Sequence, residues 1–281
     1  MRIARFSLPD TAADAGAVRF GLVEGDPAQP EAMVIAELDG HPFVPDPRTL
    51  ANETTGRAWP LDEVRLLAPT LPSKIAAIGR NYADHAREMG NEVPEVPITF
   101  LKPSTSVIGP NETIAYPAAS QEVGYEAELA VVIGRLCRQV PIARVPEVVL
   151  GYTCANDVTA RDLQRAEGQW GRAKGFDTFC PLGPWIETEL HLSGASGTGD
   201  SDDLAVTCTV NGELKQSGRT SQMIRTVAEL VAHVSEAMTL LPGDVILTGT
   251  PAGVGLLRVG DTVSVGIENI GILTNRVVSR D

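Results

Sequence analysis

Gly124-Tyr125-Glu126-Ala127-Glu128-Leu129-Ala130-Val131-Val132-Ile133-Gly134 sets two carboxylates against an unbroken apolar run. Leu129 to Ile133 is rich in branched apolar residues, which predicts a buried strand. Side chains alternate along a strand, so Glu126 and Glu128 point to the same side. Two partly buried carboxylates at that spacing repel each other and are costly without a cation. A divalent ion that prefers oxygen ligands removes the conflict. The pair alone also fits a solvated strand face.

A third carboxylate comes from Val148-Val149-Leu150-Gly151-Tyr152-Thr153-Cys154-Ala155-Asn156-Asp157-Val158-Thr159-Ala160-Arg161-Asp162-Leu163-Gln164. An apolar strand runs there into the polar break Asn156-Asp157. Asp157 could complete an open oxygen-ligand site suited to Mg²⁺ or Mn²⁺, less clearly to Ca²⁺, and poorly to zinc. Asp162 is the alternative ligand, but a following helix would carry it away from the strand end.

Upstream, Lys74-Ile75-Ala76-Ala77-Ile78-Gly79-Arg80-Asn81-Tyr82-Ala83-Asp84-His85-Ala86-Arg87-Glu88-Met89-Gly90 reads as a strand, a polar turn and one or two helical turns. Asn81 is placed to cap the helix and Gly90 to end it. His85 and Glu88 are three apart and share a helix face. Glu88 could orient the imidazole and make His85 a general base, and an ordinary surface pair has the same spacing. Lys102 and Lys174 each interrupt an apolar or Gly/Pro-rich stretch. Either could be a buried charge partner for an anion or a side chain snorkelling at a strand edge. Leu241 to Gly255 is a strand followed by a Gly-rich loop without a P-loop ending. That loop could offer Thr250 and backbone N–H groups to a small carboxylate, or be only a tight turn.

These segments together resemble the fumarylacetoacetate hydrolase family, in family order over roughly residues 73 to 281. The resemblance rests on Gly79 through Glu88, Phe100-Leu101-Lys102-Pro103, Tyr125 through Leu129, Asn156 through Asp162, Lys174 through Phe179, and Leu247-Thr248-Gly249-Thr250-Pro251. It implies that Glu126, Glu128 and Asp157 bind Mg²⁺ or Mn²⁺. It implies that His85 and Glu88 form a catalytic dyad on a short lid helix, with Lys174 facing the ligand. Arg80, Asn81, Lys102 and Thr250 are the candidates for contacting substrate.

The residue types suit that chemistry. A 2-oxo acid chelates a divalent ion, which stabilises an enolate at the adjacent carbon. For a 2,4-dioxo acid of acylpyruvate type, His85 with Glu88 would activate water to attack C4 and cleave the C3–C4 bond. Oxaloacetate would lose CO₂ instead, and a hydroxylated dienoate would need only a proton shuttle. Acylpyruvate cleavage is placed first and decarboxylation second. A catalytically idle metal-binding relative has no need of the His85–Glu88 pair, and a β-rich interaction module has no need of the three carboxylates.

The chain has 281 residues and a formal net charge of −13. That charge disfavours nucleic-acid binding. It also requires a local positive patch (Arg80, Lys102, Lys174 and the metal) to receive an anionic substrate. No apolar run approaches a membrane span and the N-terminus lacks a signal-peptide core, so a cytoplasmic protein is expected. The four cysteines are widely spaced, without C-x-x-C, and read as reduced thiols.

Residues 1–70 predict a small β-rich N-terminal domain, with strands at Val18–Val23 and Met33–Leu38. Leu67-Ala68-Pro69-Thr70-Leu71-Pro72 marks the boundary to a catalytic domain over 71–281. A mixed, mainly β fold is expected: a rolled sandwich or barrel-like sheet with the metal at its mouth and the lid helix in front. One helix is predicted from about Ser221 to Met238, and a hairpin at Asn211-Gly212. Residues 193 to 203 predict a solvated acidic loop. The family resemblance implies a homodimer.

Overall fold

The Ala127–Ile133 strand is buried along its whole length. Leu129, Val131 and Ile133 belong to one core, with Val206, Cys208, Val265, Leu230 and Val231. Ala130 and Val132, on the other face, belong to a second core with Ile75, Leu182 and Leu247. A strand covered on both faces has no polar side to show, which is why its sequence is continuously apolar instead of alternating. The computed structural model describes residues 1–8, 12, 14–26, 29–43, 54–90, 92–192 and 203–280. The acidic loop expected over 193 to 203 lies outside these residues except for Asp203.

This strand sits inside a sheet of twelve strands. Val149–Asn156 flanks it antiparallel on one side, with Ala127 opposite Asn156. Val245–Leu247 flanks it antiparallel on the other, with Val131 opposite Ile246. Ile75–Gly79 then runs parallel to Val245–Leu247, and Ile98–Lys102 closes that end. Beyond Val149–Asn156 come Cys180–Glu187 and then the N-terminal strands, joined where Arg2 lies opposite Glu187. The strands Arg2–Ser7, Val18–Glu24, Val34–Leu38 and Thr54–Pro60 thus extend the same sheet. Trp185 of Cys180–Glu187 also packs into the small core formed by Phe6, Leu8, Val23, Met33 and Ile35.

A five-stranded sheet covers the first core, in the order Glu213–Arg219, Ala205–Val210, Thr262–Ile267, Gly271–Ser279, Thr113–Tyr116. Its hairpin turns at Asn211 and Gly212, both with positive φ (52° and 80°), as the dipeptide predicts. The expected helix begins six residues late and runs Val227–Ala237. Thr226 and Glu229 form a capping box, with Glu229 N–H donating to Thr226 Oγ1 (3.3 Å) and Thr226 N–H to the Glu229 carboxylate (2.7 Å). Residues before the cap are pulled out of helix by tertiary contacts, including a β-bridge between Met223 and Tyr82. All four cysteines are free thiols.

The Pro-containing boundary is pinned to the catalytic sheet by one buried carboxylate. Asp244 is fully buried and accepts from Ser73 N–H (3.0 Å), Ser73 Oγ (2.6 Å), Lys74 N–H (3.2 Å) and Leu241 N–H (2.8 Å). It also pairs with the Lys74 ammonium. Removing it would leave several part-buried donors without their acceptor at once. Asp244→Ala should lower unfolding free energy by about 3 kcal/mol, measured by urea denaturation. Asp62→Ala, at an exposed site, should stay within about 0.5 kcal/mol of wild type.

Candidate active site and metal centre

Three strand ends converge beyond the Gly79 end of the large sheet. Glu126 occupies the break between the strands Val123–Tyr125 and Ala127–Ile133. Its N–H donates to Asn156 Oδ1 (3.0 Å), and its carbonyl accepts from Asp157 N–H (2.9 Å). That exchange locks the two acidic residues together across neighbouring strands. Glu128 follows two residues on, so the strand alternation brings its carboxylate to the same side. Oxygens of Glu126, Glu128 and Asp157 lie within 4.8 Å of one another, and all three residues are buried. Asp162 is turned away, accepting from Ser120 Oγ (2.6 Å) and Gln121 N–H (2.8 Å).

Three buried cations meet this cluster. Lys174 Nζ donates to Glu126 Oε2 (2.8 Å), Asp157 Oδ2 (2.6 Å) and Thr159 Oγ1 (2.9 Å). Lys102 Nζ reaches Asp157 Oδ1 (2.5 Å), and Arg161 Nη1 reaches Glu126 Oε1 (2.7 Å). Burial alone would raise the Glu126 pKa, but Lys174 and Arg161 hold it well below the usual carboxylate range. Glu128 differs. Among the described residues no cation pairs with it, and its recorded donor is Gly249 N–H (2.6 Å). Burial, then the charges of Asp157 and Glu126, push its pKa well above the carboxylate range. The donor set is all oxygen, buried and short of one positive charge at Glu128, which fits a hard divalent cation.

The short helix expected as a lid is Ala83–Glu88. His85 is buried, with Nδ1 3.5 Å from Glu88 Oε2. That contact is at the outer limit of hydrogen-bond distance, and Nδ1 makes no hydrogen bond among the described residues. Both Glu88 oxygens instead accept from Gly253 N–H, each at 3.1 Å. Burial lowers the His85 pKa; Glu126 pulls it back up, Arg161 lowers it and Glu88 raises it, and the net shift is downward, which favours the neutral imidazole.

The remaining expected residues divide. Arg80 lines the cavity, at positive φ (64°), with its guanidinium 5.9 Å from the Trp170 ring centre. Thr250 also lines it, although its hydroxyl donates to the Ala127 carbonyl and accepts from Gln216 Nε2 (2.8 Å each). Asn81 does not line it. Its amide donates to the carbonyls of Thr248 (2.8 Å) and Arg225 (3.1 Å) and accepts from Arg225 N–H (2.8 Å). The helix cap is therefore Tyr82, without a side-chain bond, while Gly90 follows the helix at φ 67° as expected. Lys102 lies behind Asp157, fully buried. The Gly-rich loop spends its N–H groups on Glu128 and Glu88.

The cavity is about 300 Å³ and is also lined by Arg161, Gln164 and Trp170, which pattern analysis did not single out. Arg161 stands on the first turn of the helix Arg161–Glu167, one residue before the Asp162 that drew attention. Its Nη1 also donates to Gln164 (3.1 Å), and its buried Nη2 has no partner among the described residues. Trp170 rests on Gly79, where a Cβ would come within 2.5 Å of the indole. The absence of a side chain at Gly79 thus admits the ring.

Residues 74–278 match the family described as "Fumarylacetoacetate (FAA) hydrolase C-terminal", and residues 1–69 match "Rv2993c-like, N-terminal". The chain is 40% identical to the rat protein "Oxaloacetate tautomerase Fahd2a, mitochondrial" (Rattus norvegicus), over 99% of this chain and 92% of that one. A crystal structure of 5-carboxymethyl-2-hydroxymuconate delta-isomerase from Mycobacterium smegmatis is similar, with 50% identity and a TM-score of 0.85 over 100% of both chains. So is fumarylpyruvate hydrolase from Pseudomonas aeruginosa, solved with Mn²⁺ and pyruvate. It is 36% identical with a TM-score of 0.67, over 76% of this chain and 91% of that chain. With the conserved-domain match spanning almost all of residues 74 to 281 and the same fold in these relatives, the chain belongs to the fumarylacetoacetate hydrolase family.

Proposed function

We propose that this protein is a divalent-metal-dependent enzyme that moves a proton at the carbon next to the keto group of a small 2-oxo acid. The observation that carries the reading is a buried His85 opening onto the same 300 Å³ cavity as Glu126 and Glu128. A Mg²⁺ or Mn²⁺ ion held by Glu126, Glu128 and Asp157 would supply Lewis-acid stabilisation of an enolate. The protein's side chains do the rest. Arg161, which lines the cavity, would meet the substrate's carboxylate, with Gln164 steadying the guanidinium. His85 faces Glu88 through Nδ1, which leaves Nε2 to take a proton from C3 or return it. Lys174 offsets the charge that develops on the substrate. The cavity stands at the small end of ligand sites, which suits a short acid.

Water-driven C–C cleavage of an acylpyruvate is the second reading. It draws support from the resemblance to the fumarylpyruvate hydrolase and from the presence of both His85 and Glu88. Proton transfer is placed ahead because activating water calls for a polarised imidazole. Here Glu88 is engaged by Gly253, and its approach to Nδ1 is 3.5 Å. The names of the tautomerase and isomerase relatives, which align along the whole chain, point the same way. The homodimer implied by the family resemblance is part of this proposal.

Two variants test the assignments. Glu128→Gln should abolish tight Mg²⁺ or Mn²⁺ binding in calorimetric titration. His85→Ala should retain the metal after dialysis and lose about 10²- to 10⁴-fold in turnover; full activity in His85→Ala would remove it as the base. The reaction type is tested by deuterium uptake at C3 of oxaloacetate in D₂O, run beside pyruvate release from acetylpyruvate and fumarylpyruvate. Rapid, EDTA-sensitive exchange with little pyruvate release is expected. Pyruvate release from the dioxo acids that outpaces exchange would make the protein a C–C hydrolase.

A further inference from the structure

A cavity of about 410 Å³ lies at the seam between the N-terminal strands and the catalytic sheet. It shares no lining residue with the catalytic cavity. Thr70 and Leu71 line it just before the Ile75–Gly79 strand, and Pro242 and Gly243 just before Val245–Leu247. Those two strands run parallel, and the catalytic residues follow their far ends. The two cavities are therefore separated by a strand length of roughly 16 Å.

Three rings form one wall. The Phe20 and His41 ring centres are 4.6 Å apart and edge-on, and Phe43 lies 6.4 Å from Phe20 at 87°. Gly243, at φ 87°, makes room opposite: a Cβ there would meet Thr70 Oγ1 at 2.9 Å and the Phe43 ring at 3.8 Å. The polar end of the cavity belongs to Arg5, the direct cross-strand partner of Phe20, so both side chains leave the same face of the sheet.

Among the described residues, Arg5 is a half-buried cation without an ion-pair partner. Its guanidinium makes one long bond, Nη1 to the Ala68 carbonyl at 3.4 Å. Among the described residues no carboxylate lies within ion-pair distance. Glu112, which attracts it most, is committed to Arg65 Nη2 and Gly109 N–H, at 2.7 Å each. Burial pulls the Arg5 pKa down, as expected for a charge deprived of water and partner. His41 adds a donor. Its Nδ1 accepts from Phe43 N–H (3.3 Å), so the neutral imidazole carries its proton on Nε2.

We propose that this seam cavity is a second ligand site, which takes a small aromatic carboxylate. The ring stacks against Phe20 and Phe43, and the carboxylate meets the Arg5 guanidinium. Position makes it a site for control: its floor, Pro242-Gly243, leads straight into the strand that ends at the Thr248–Thr250 loop beside Glu128. This inference does not depend on which reaction the catalytic site performs.

The test is ¹⁹F line broadening of 4-fluorobenzoate by the full chain, with benzyl alcohol and acetate as competitors. Saturable broadening is expected, and each competitor should be at least about tenfold weaker than benzoate. Arg5→Gln should weaken binding by about tenfold or more. Leu71→Asp, at the exposed rim (67% accessible), should weaken it about fivefold by charge repulsion without touching the core. Arg161→Gln, in the catalytic cavity, should leave it unchanged. Absence of broadening, or broadening lost in Arg161→Gln and kept in Arg5→Gln and Leu71→Asp, would overturn the proposal. Equal competition by benzyl alcohol would overturn the role of Arg5.

Discussion

Three carboxylates and three cations share one dry space, and the charge within it is unevenly spread. Asp157 meets two lysines, Glu126 meets Lys174 and Arg161, and Glu128 meets a single recorded backbone N–H. Burying a carboxylate is tolerable only when something compensates it. Lys102 from a strand and Arg161 and Lys174 from two short helices supply that for two of the three. Among the described residues the third, Glu128, has no such cation. Replacing the cluster with apolar residues of similar size would cost the core little, as buried ion pairs seldom add net stability.

One loop ties the carboxylates to the lid. Residues 248 to 253 continue along the edge of the Ala127–Ile133 strand, with Thr248 and Thr250 donating to the Leu129 and Ala127 carbonyls. From there Gly249 N–H holds Glu128 and Gly253 N–H holds Glu88. Asn81, just before the lid helix, grips the Thr248 carbonyl from the other side. A disturbance at Glu128 is therefore two hydrogen bonds from the segment that carries His85. Such a chain of contacts fixes the place of His85 relative to the carboxylates.

The N-terminal strands join this arrangement by hydrogen bonds as well as by packing. Arg2 and Ile3 pair with Glu187 and Ile186, and Trp185 fills the N-terminal core. The seam between the two parts is where Arg5 lies, without an ion-pair partner among the described residues. The global charge of −13 is thus no guide to local potential, since cations offset the carboxylates at the first cavity and Arg5 lines the second.

Much of the site was legible from residue order. The spacing of Glu126 and Glu128, the polar break at Asp157 and the three-residue step from His85 to Glu88 are local features, governed by strand and helix periods. The continuous apolar run of Leu129–Ile133 likewise declared a strand with two buried faces. Other assignments failed to follow from order. Asn81 looks like a helix cap and is a tertiary clamp. Lys102 looks like a substrate contact and sits behind Asp157. The helix expected from Ser221 starts only at Val227, where Thr226 caps it. Arg161 and Trp170 gave no periodic signal, because their importance comes from what lies across from them: Glu126 for one, Gly79 and Arg80 for the other. Which segments become strands, and which carboxylates share a side, depends on neighbours along the chain and can be read from residue order. Which polar groups face the cavity, and which are consumed in holding it, depends on the packed fold, since hydrogen-bond partners over a hundred residues apart leave no trace in local spacing.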